Sequence, residues 1–511
     1  MSQTLIVILE RAKEKMDVQK SRKTDFLYIL IAVAMAAGAA ILIGFPDPDI
    51  GLFAALGFMG IALMMAIYVT PSLGADVLII AIFTNISDEL TNRGFPSLIK
   101  PLVGVVALAI FVKYFQTGRG ATAGSGKTAR VEFFLFLLFA ATAASFVVAD
   151  NKDRAMTAIL DIGKDIVILY CILYALRSPQ VWKRSVWVVV GVTTFLCLLG
   201  AYQYFTGRFD SDLFGMASVK FDSVVEGSST RLGGPINAPN MWGQTVVAVM
   251  AIAAFRLFHE RSKVTKLVVA GLLGLMMLET LNTYSRGAYL ALGVVALLIM
   301  FVFEKRINRL AALTAVGLFV LSVPFWPATY RERLVSLSIL TPSSNNEFAV
   351  YQDSSLRGRS SEMLAGIEMF KANPIIGVGA GNYKNNYQSY SQLLGIELRA
   401  EERDAHSLYL QILAETGVLG FIAFAGVIGA LFIALGKARQ AADADLHLHD
   451  WLPWLNAMQV SLIAYLVAAT FLHGAYIRYF WILVALTLAA IQITYDLLEE
   501  RQQKPLIGNR F

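Results

Sequence analysis

Apolar runs of roughly 20 residues recur along the whole chain, each about the length a helix needs to cross a bilayer. They fall near 26–45, 50–69, 73–86, 97–115, 131–149, 156–176, 185–205, 238–258, 264–282, 287–303, 308–326, 408–435, 453–473 and 478–497. The third is short enough to be re-entrant. Of 511 residues, 57% are hydrophobic and 16% charged, against roughly 25% charged in a soluble protein. No single core absorbs that surplus, so lipid must act as solvent. In hydrocarbon each backbone polar group needs a partner within the protein, which favours helices for spans of this length. The expected fold class is all-α: a polytopic integral membrane protein of about 12–14 transmembrane helices with a large helical extracytoplasmic loop.

The net charge of +6, with 43 Lys and Arg, raises nucleic acid as a partner only if the cations form a soluble patch. They cluster instead between apolar runs. With the N-terminal basic stretch placed in the cytoplasm, the inside loops carry Lys113, Arg119, Lys127 and Arg130, then Arg177, Lys183 and Arg184. Further inside loops carry Arg256, Arg261, Lys263 and Lys266, then Lys305, Arg306 and Arg309, and finally Lys437 and Arg439. That asymmetry orients the chain with both termini cytoplasmic. No nucleic acid partner is expected; membrane lipid is. The start reverses the order of a signal peptide, with a short apolar stretch before the charges, and reads as an interfacial helix. Cys171 and Cys197 both lie in apolar runs, which excludes a disulfide framework or a cysteine-ligated metal. The expected organisation is a cytoplasmic amphipathic segment (1–24), a first bundle (25–326) with an outer loop at 206–237, a large extracytoplasmic loop (327–407), C-terminal spans (408–498) and a cytoplasmic tail (499–511).

Five arginines defy the inside bias: Arg231, Arg286, Arg357, Arg359 and Arg478 all map to the outer face. Arg286 stands in a tight turn between two spans, where a guanidinium suits bidentate phosphate binding. Snorkelling to lipid phosphates is the competing role for any one of them. In the large loop, Met363, Ile367 and Phe370 recur at helical spacing, with Arg359 one turn earlier on the same face. His406 follows a candidate N-cap at Asp404 and would occupy a first turn, where the helix dipole disfavours imidazolium. A neutral ring there is suited to act as general base for a sugar hydroxyl. Around Arg231, Gly-Gly-Pro and Ala-Pro-Asn steps force irregular backbone just above the membrane, which is tolerated where it lines a cavity.

Other signals carry less. GRGATAGSGKT looks like a phosphate-binding loop, but five residues separate Gly120 from Gly126 and no strand precedes it. Asp210 and Asp212 are read as solvated loop carboxylates rather than a metal site. Asp161, Lys164 and Asp165 lie within one span, spaced to neutralise one another along a helix face or to serve an ion pathway. His473 with Arg478 is a second, weaker candidate site.

Four stretches resemble the O-antigen ligase and polysaccharide polymerase family. They are RLGGPINAPN before the eighth span, SRGAYLAL at the tenth, RSSEMLAGIEMFKANPIIGVGAGNY in the large loop, and DAHSLYLQILAETGVLGF at the twelfth. The likeness covers about residues 225–435. It implies a membrane glycosyltransferase that moves glycan from an undecaprenyl diphosphate-linked donor to an acceptor hydroxyl, with inversion and without a metal or other cofactor. The implied acceptor is a glycan, lipid A core or a protein. The implied place is the bacterial inner membrane, with the active site extracytoplasmic. By position, His406 matches the family's general base, and Arg231 and Arg359 the arginines holding the donor diphosphate. Arg286 and its neighbour in charge Arg357 are assigned to the same anion. The competing classes are a transporter or flippase of lipid-linked oligosaccharide, which would show inverted repeats and midplane charges, and a non-catalytic scaffold of an envelope assembly complex.

Overall fold

The computed structural model describes residues 48–117, 125–225, 227–303, 354–394, 402–472, 474 and 478–503. The N-terminal segment, the apolar runs at 26–45 and 308–326, loop residues 327–353 and 395–401, His473 and the end of the tail lie outside the described residues. In chain order the helices are α1 (Pro48–Val69), α2 (Pro71–Phe83), α3 (Ile86–Asn92), α4 (Ile99–Thr117), α5 (Ser125–Ala144), α6 (Lys152–Ala175) and α7 (Pro179–Thr206). After a hairpin, β1 (Val219–Val225) and β2 (Gly227–Leu232), come α8 (Pro239–His259), α9 (Lys263–Asn282) and α10 (Arg286–Leu297). The rest are α11 (Ser354–Ala372), α12 (Tyr383–Leu393), α13 (Leu408–Ala444), α14 (Leu452–Ala468) and α15 (Arg478–Gln503). Eight described helices are long and apolar enough to cross a membrane. The chain is an all-α multi-pass membrane protein.

Two compact units divide it: Met1–Leu78 with Lys100–Gly118, and Ile79–Ile99 with Arg119–Phe511. In the first, a Cβ on Gly74 would meet Val106 Cγ2 at 2.4 Å and Ile67 Cγ2 at 2.7 Å. The missing side chain is what lets α2 lie against α1 and α4, the usual device where no hydrophobic drive holds helices together in lipid.

In the second unit, α15 is the most enclosed span, and α8 and α14 are nearly as buried, whereas α5, α9 and α10 leave most of their surface outward. Close contact again rests on small residues: Gly243 on α8 faces Thr283 Oγ1 and Ala288 Cβ, 2.9 and 3.0 Å from where a Cβ would stand. Polar side chains tie helices across the apolar interior. Trp182 donates to the Leu486 carbonyl at 2.8 Å, and Gln244 to the Tyr465 carbonyl at 2.8 Å.

Two features depart from the sequence expectation. The loop at 206–237, expected outside, contains an antiparallel hairpin, pairing Val219 with Leu232 and Lys220 with Arg231. It is too short and polar to announce itself beside spans of 20 apolar residues. The second is a break in α13. At 37 residues it would run about 55 Å at 1.5 Å per residue, well beyond a hydrocarbon core of about 30 Å. Gly417, at φ 65° and ψ −164°, interrupts it.

The severed backbone is repaired by the Gly-rich stretch after α11. Val418 and Leu419 N–H donate to the carbonyls of Pro374 and Ile375, at 2.8 and 3.3 Å. In return, Val378 and Gly379 N–H donate to the carbonyls of Ala414 and Glu415, at 2.9 and 3.0 Å. Gly417 is obligatory twice over: its φ is left-handed, and a Cβ would stand 2.3 Å from the Ile375 oxygen. This interlock fixes α11 and α12 over the first turns of α13.

Candidate functional site

The hairpin presents Arg231. Gly233 N–H donates to the Ser218 carbonyl at 2.8 Å, and Ser218 Oγ to the Gly234 carbonyl at 2.6 Å, closing the hairpin base. Gly234, at φ 57°, lies so close on Trp242 that a Cβ would be 2.5 Å from the indole. That indole donates to Glu279 Oε1 at 2.7 Å, bolting the hairpin base to α8 and α9. Arg231 itself is buried; its Nε donates to the Thr283 carbonyl at 2.9 Å and its Nη2 to Asn240 Oδ1 at 2.7 Å. Both of these acceptors are neutral oxygens that orient the guanidinium.

Thr283 opens the turn that carries Arg286. Tyr284 is left-handed at φ 50°, and Ser285 caps α10 by accepting from Ala288 N–H at 3.3 Å. Arg286 is therefore the first residue of a helix, at its positive end, in a half-buried position. The structure thus brings Arg231 onto the same turn as Arg286.

His406 belongs to the second cluster. The expected cap at Asp404 is not the one formed. Ser407 caps α13, accepting from Leu410 N–H, and His406 precedes the helix in a left-handed conformation at φ 45°. Asp404 instead pairs with Lys384, Nζ to Oδ2 3.1 Å. The dipole argument for the ring is replaced by a closer influence: Glu362 Oε2 lies 2.7 Å from His406 Nδ1, and the Asp404 carbonyl 3.1 Å from the same nitrogen. The Asp404 carbonyl is the hydrogen-bonding partner of Nδ1, and the Glu362 carboxylate lies beside the ring as a charge rather than as a hydrogen-bond acceptor.

Glu362 is 2% exposed, and its inward position corrects the expected face of α11. Met363 and Ile367, read as the apolar face, are 50% and 37% exposed. The buried face is Ser361, Glu362, Ala365 and Met369. Polar anchors decide it: Ser361 Oγ shares a hydrogen bond with Tyr387 at 2.9 Å, and the Tyr383 hydroxyl donates to the Glu362 carbonyl. Burial first, and then Glu362, hold the Tyr383 phenol above its ordinary pKa, so it stays a donor. Gly366 allows Leu410 of α13 to approach within 3.0 Å of a Cβ position. Arg359, half-buried, lies three residues before Glu362, close to one helical turn; Arg357 lies on α11 with its side chain outside the described ones.

The two clusters flank one turn. Gly287 of α10 abuts the Ala468 carbonyl, while Tyr409 of α13 donates to the Leu466 carbonyl at 2.8 Å. Gln411 Oε1 accepts from Gly474 N–H at 3.1 Å. The contacts therefore run from Arg231 through Thr283 and Arg286 to the end of α14, and on to His406 and Glu362.

The remaining candidates fall elsewhere. Asp161 and Lys164 pair along α6 as expected, but Asp165 does not join them. It is fully buried, with Arg478 Nε 3.7 Å away, and Arg478 Nη1 is 3.9 Å from Asp88. Asp212 pairs with Arg93 at 3.1 Å. In the glycine-rich stretch, Lys127 stacks over Tyr495 at 5.2 Å and Thr128 bonds Glu132 at 2.9 Å; both serve helix packing. Sequence reading missed Glu362, Asn240 and Glu279. Only an unpaired acid on a helix facing a histidine would have signalled the first.

Residues 271–425 match the model of the O-antigen ligase family. The resemblance to O-antigen ligases and polymerases holds over that segment. It contains Arg286, Arg357, Arg359, Glu362, His406 and the Gly417 break; Arg231 lies before it. No curated protein matches the chain.

Proposed function

We propose, with the O-antigen ligase match as premise, that this membrane protein transfers glycan from an undecaprenyl diphosphate-linked donor to an acceptor hydroxyl, with His406 as general base. The family implies membrane glycan transfer of the ligase or polymerase type; the residue roles are our reading. The acceptor oxygen attacks the anomeric carbon, the bond from that carbon to the diphosphate breaks, and the configuration inverts. The hydroxyl proton passes to His406 Nε2. The departing diphosphate gains negative charge, and Arg231, Arg286, Arg359 and Arg357 stabilise it more in the transition state than in the ground state. No metal is needed where guanidinium groups supply that charge. On this reading the site is extracytoplasmic.

The observation that carries the proposal is the Glu362 carboxylate 2.7 Å from His406 Nδ1. A buried carboxylate beside the ring compensates the imidazolium that forms as the proton arrives. The competing reading, a transporter of lipid-linked oligosaccharide, draws on Asp165 and Arg478 within the membrane. Purified protein, a lipid diphosphate glycan and an acceptor separate the two. Transfer that persists in EDTA and disappears in His406→Ala supports the enzyme; unchanged transfer in that variant removes the mechanism. A ladder of products indicates polymerisation, and a single addition ligation.

A further inference from the structure

A large cavity lies far from His406. It opens where α7, α8, α13 and α14 have their other ends, and encloses about 1120 Å³. Arg256 and His259 end α8, Lys183 begins α7, Gly436 and Arg439 belong to the last turns of α13, and Leu452 begins α14. His406 immediately precedes the opposite end of α13.

Among the described residues, five cations line this space: Lys183, Arg256, Arg261, Lys266 and Arg439. Three carboxylates, Glu260, Asp443 and Asp450, leave the positive charge in excess. The arrangement differs from cations that snorkel outward singly to lipid. Lys183 Nζ and Arg256 Cζ lie over the same Trp454 ring, 5.8 and 4.6 Å from its centre. Arg439 lies over Phe303 at 4.8 Å, with its guanidinium held by Asn456 and Gln459, both at 2.6 Å. Holding like charges together around one indole is unfavourable unless an anion joins them. Arg256 adds a specific vacancy for one. Its Nη2 bonds Glu260 at 2.7 Å, but its Nε is buried and has no hydrogen-bond partner among the described residues.

We propose that this cavity binds the phosphate headgroup of an anionic phospholipid from the leaflet opposite the His406 end. The walls suit a lipid more than a soluble phosphate. Trp187, Val302 and Phe303 give an apolar flank among membrane helices, along which acyl chains lie while the phosphodiester meets the guanidinium groups. The basic loop pattern places this end on the cytoplasmic side, where anionic lipid is available.

The test uses the purified full-length chain, delipidated in neutral detergent and titrated separately with phosphatidylglycerol, phosphatidylcholine and glycerol 3-phosphate. Native mass spectrometry counts bound lipid, and thermal unfolding reports stabilisation. Phosphatidylglycerol is expected to bind about tenfold more tightly than phosphatidylcholine and to raise Tm, with no rise from glycerol 3-phosphate. Arg256→Gln should remove the preference and Arg256→Lys keep most of it. The exposed pair Arg261→Gln with Lys266→Gln, where folding is not at stake, should lower it at least threefold. Lys437→Gln, exposed and outside the cavity, should leave it intact. Equal binding of the two lipids overturns the proposal, as does a preference that survives the cavity variants. A Tm rise with glycerol 3-phosphate matching that of phosphatidylglycerol overturns the lipid assignment in favour of a soluble phosphate.

Discussion

Arg231 is held by a carbonyl and an amide oxygen, whereas His406 has a buried carboxylate against its ring. On the proposed function, the difference follows from what each group must do. Carbonyl and amide oxygens orient a guanidinium for an external anion. An imidazole meant to receive a proton gains from a fixed negative charge, because the cation it becomes is then compensated. On that reading the hairpin delivers the arginine arm of the site and the loop helices the histidine arm. Arg286, at the first turn of α10, adds the positive end of a helix on the arginine side.

Four exchanges break or sharpen this contrast. His406→Ala should lower transfer by at least about 10²-fold while leaving donor binding and protein level unchanged, measured by product formation and lipid-donor retention. Glu362→Gln keeps the shape but removes the charge. A loss in kcat of about 10- to 10²-fold with little change in KM is expected; an unchanged kcat would reduce Glu362 to a packing residue. Arg231→Gln should raise the donor KM as well as lower kcat, a loss of about 1.5–3 kcal/mol in kcat/KM, with Arg231→Lys recovering part of it. Smallest is Asn240→Ala, which frees one N–H of Arg231 and should cost about 0.5–1.5 kcal/mol in donor affinity. If Glu362→Gln and Arg231→Gln produced the same kinetic change, the two arms would not be distinct.

Much of this architecture could be read in advance, for unequal reasons. Spans declare themselves by length and hydropathy, and the arginines expected outside stand out by violating the basic-inside pattern. His406 stood out because histidine at a span boundary is conspicuous. Its surroundings did not, because Glu362 is 44 positions earlier and the pairing exists only after α11 packs on α13. The face of α11 misled for a related reason. Apolar periodicity marks the buried side of a helix in water, but here tyrosine hydroxyls and a small glycine contact select the polar side. At α13 both Asp404 and Ser407 are competent caps, and Lys384 takes the first away. The hairpin escaped because its strands lack strong apolar alternation.

The splice at Gly417 limits how the site can open. Raising α11 and α12 off α13 would sacrifice four main-chain hydrogen bonds, worth about 2–6 kcal/mol together, and expose a cut helix end. A roof fastened in that manner is no hinged door. If the proposed function holds, traffic toward His406 takes a sideways approach, with the donor's long hydrocarbon tail remaining in the bilayer while only its sugar end slips beneath the eaves.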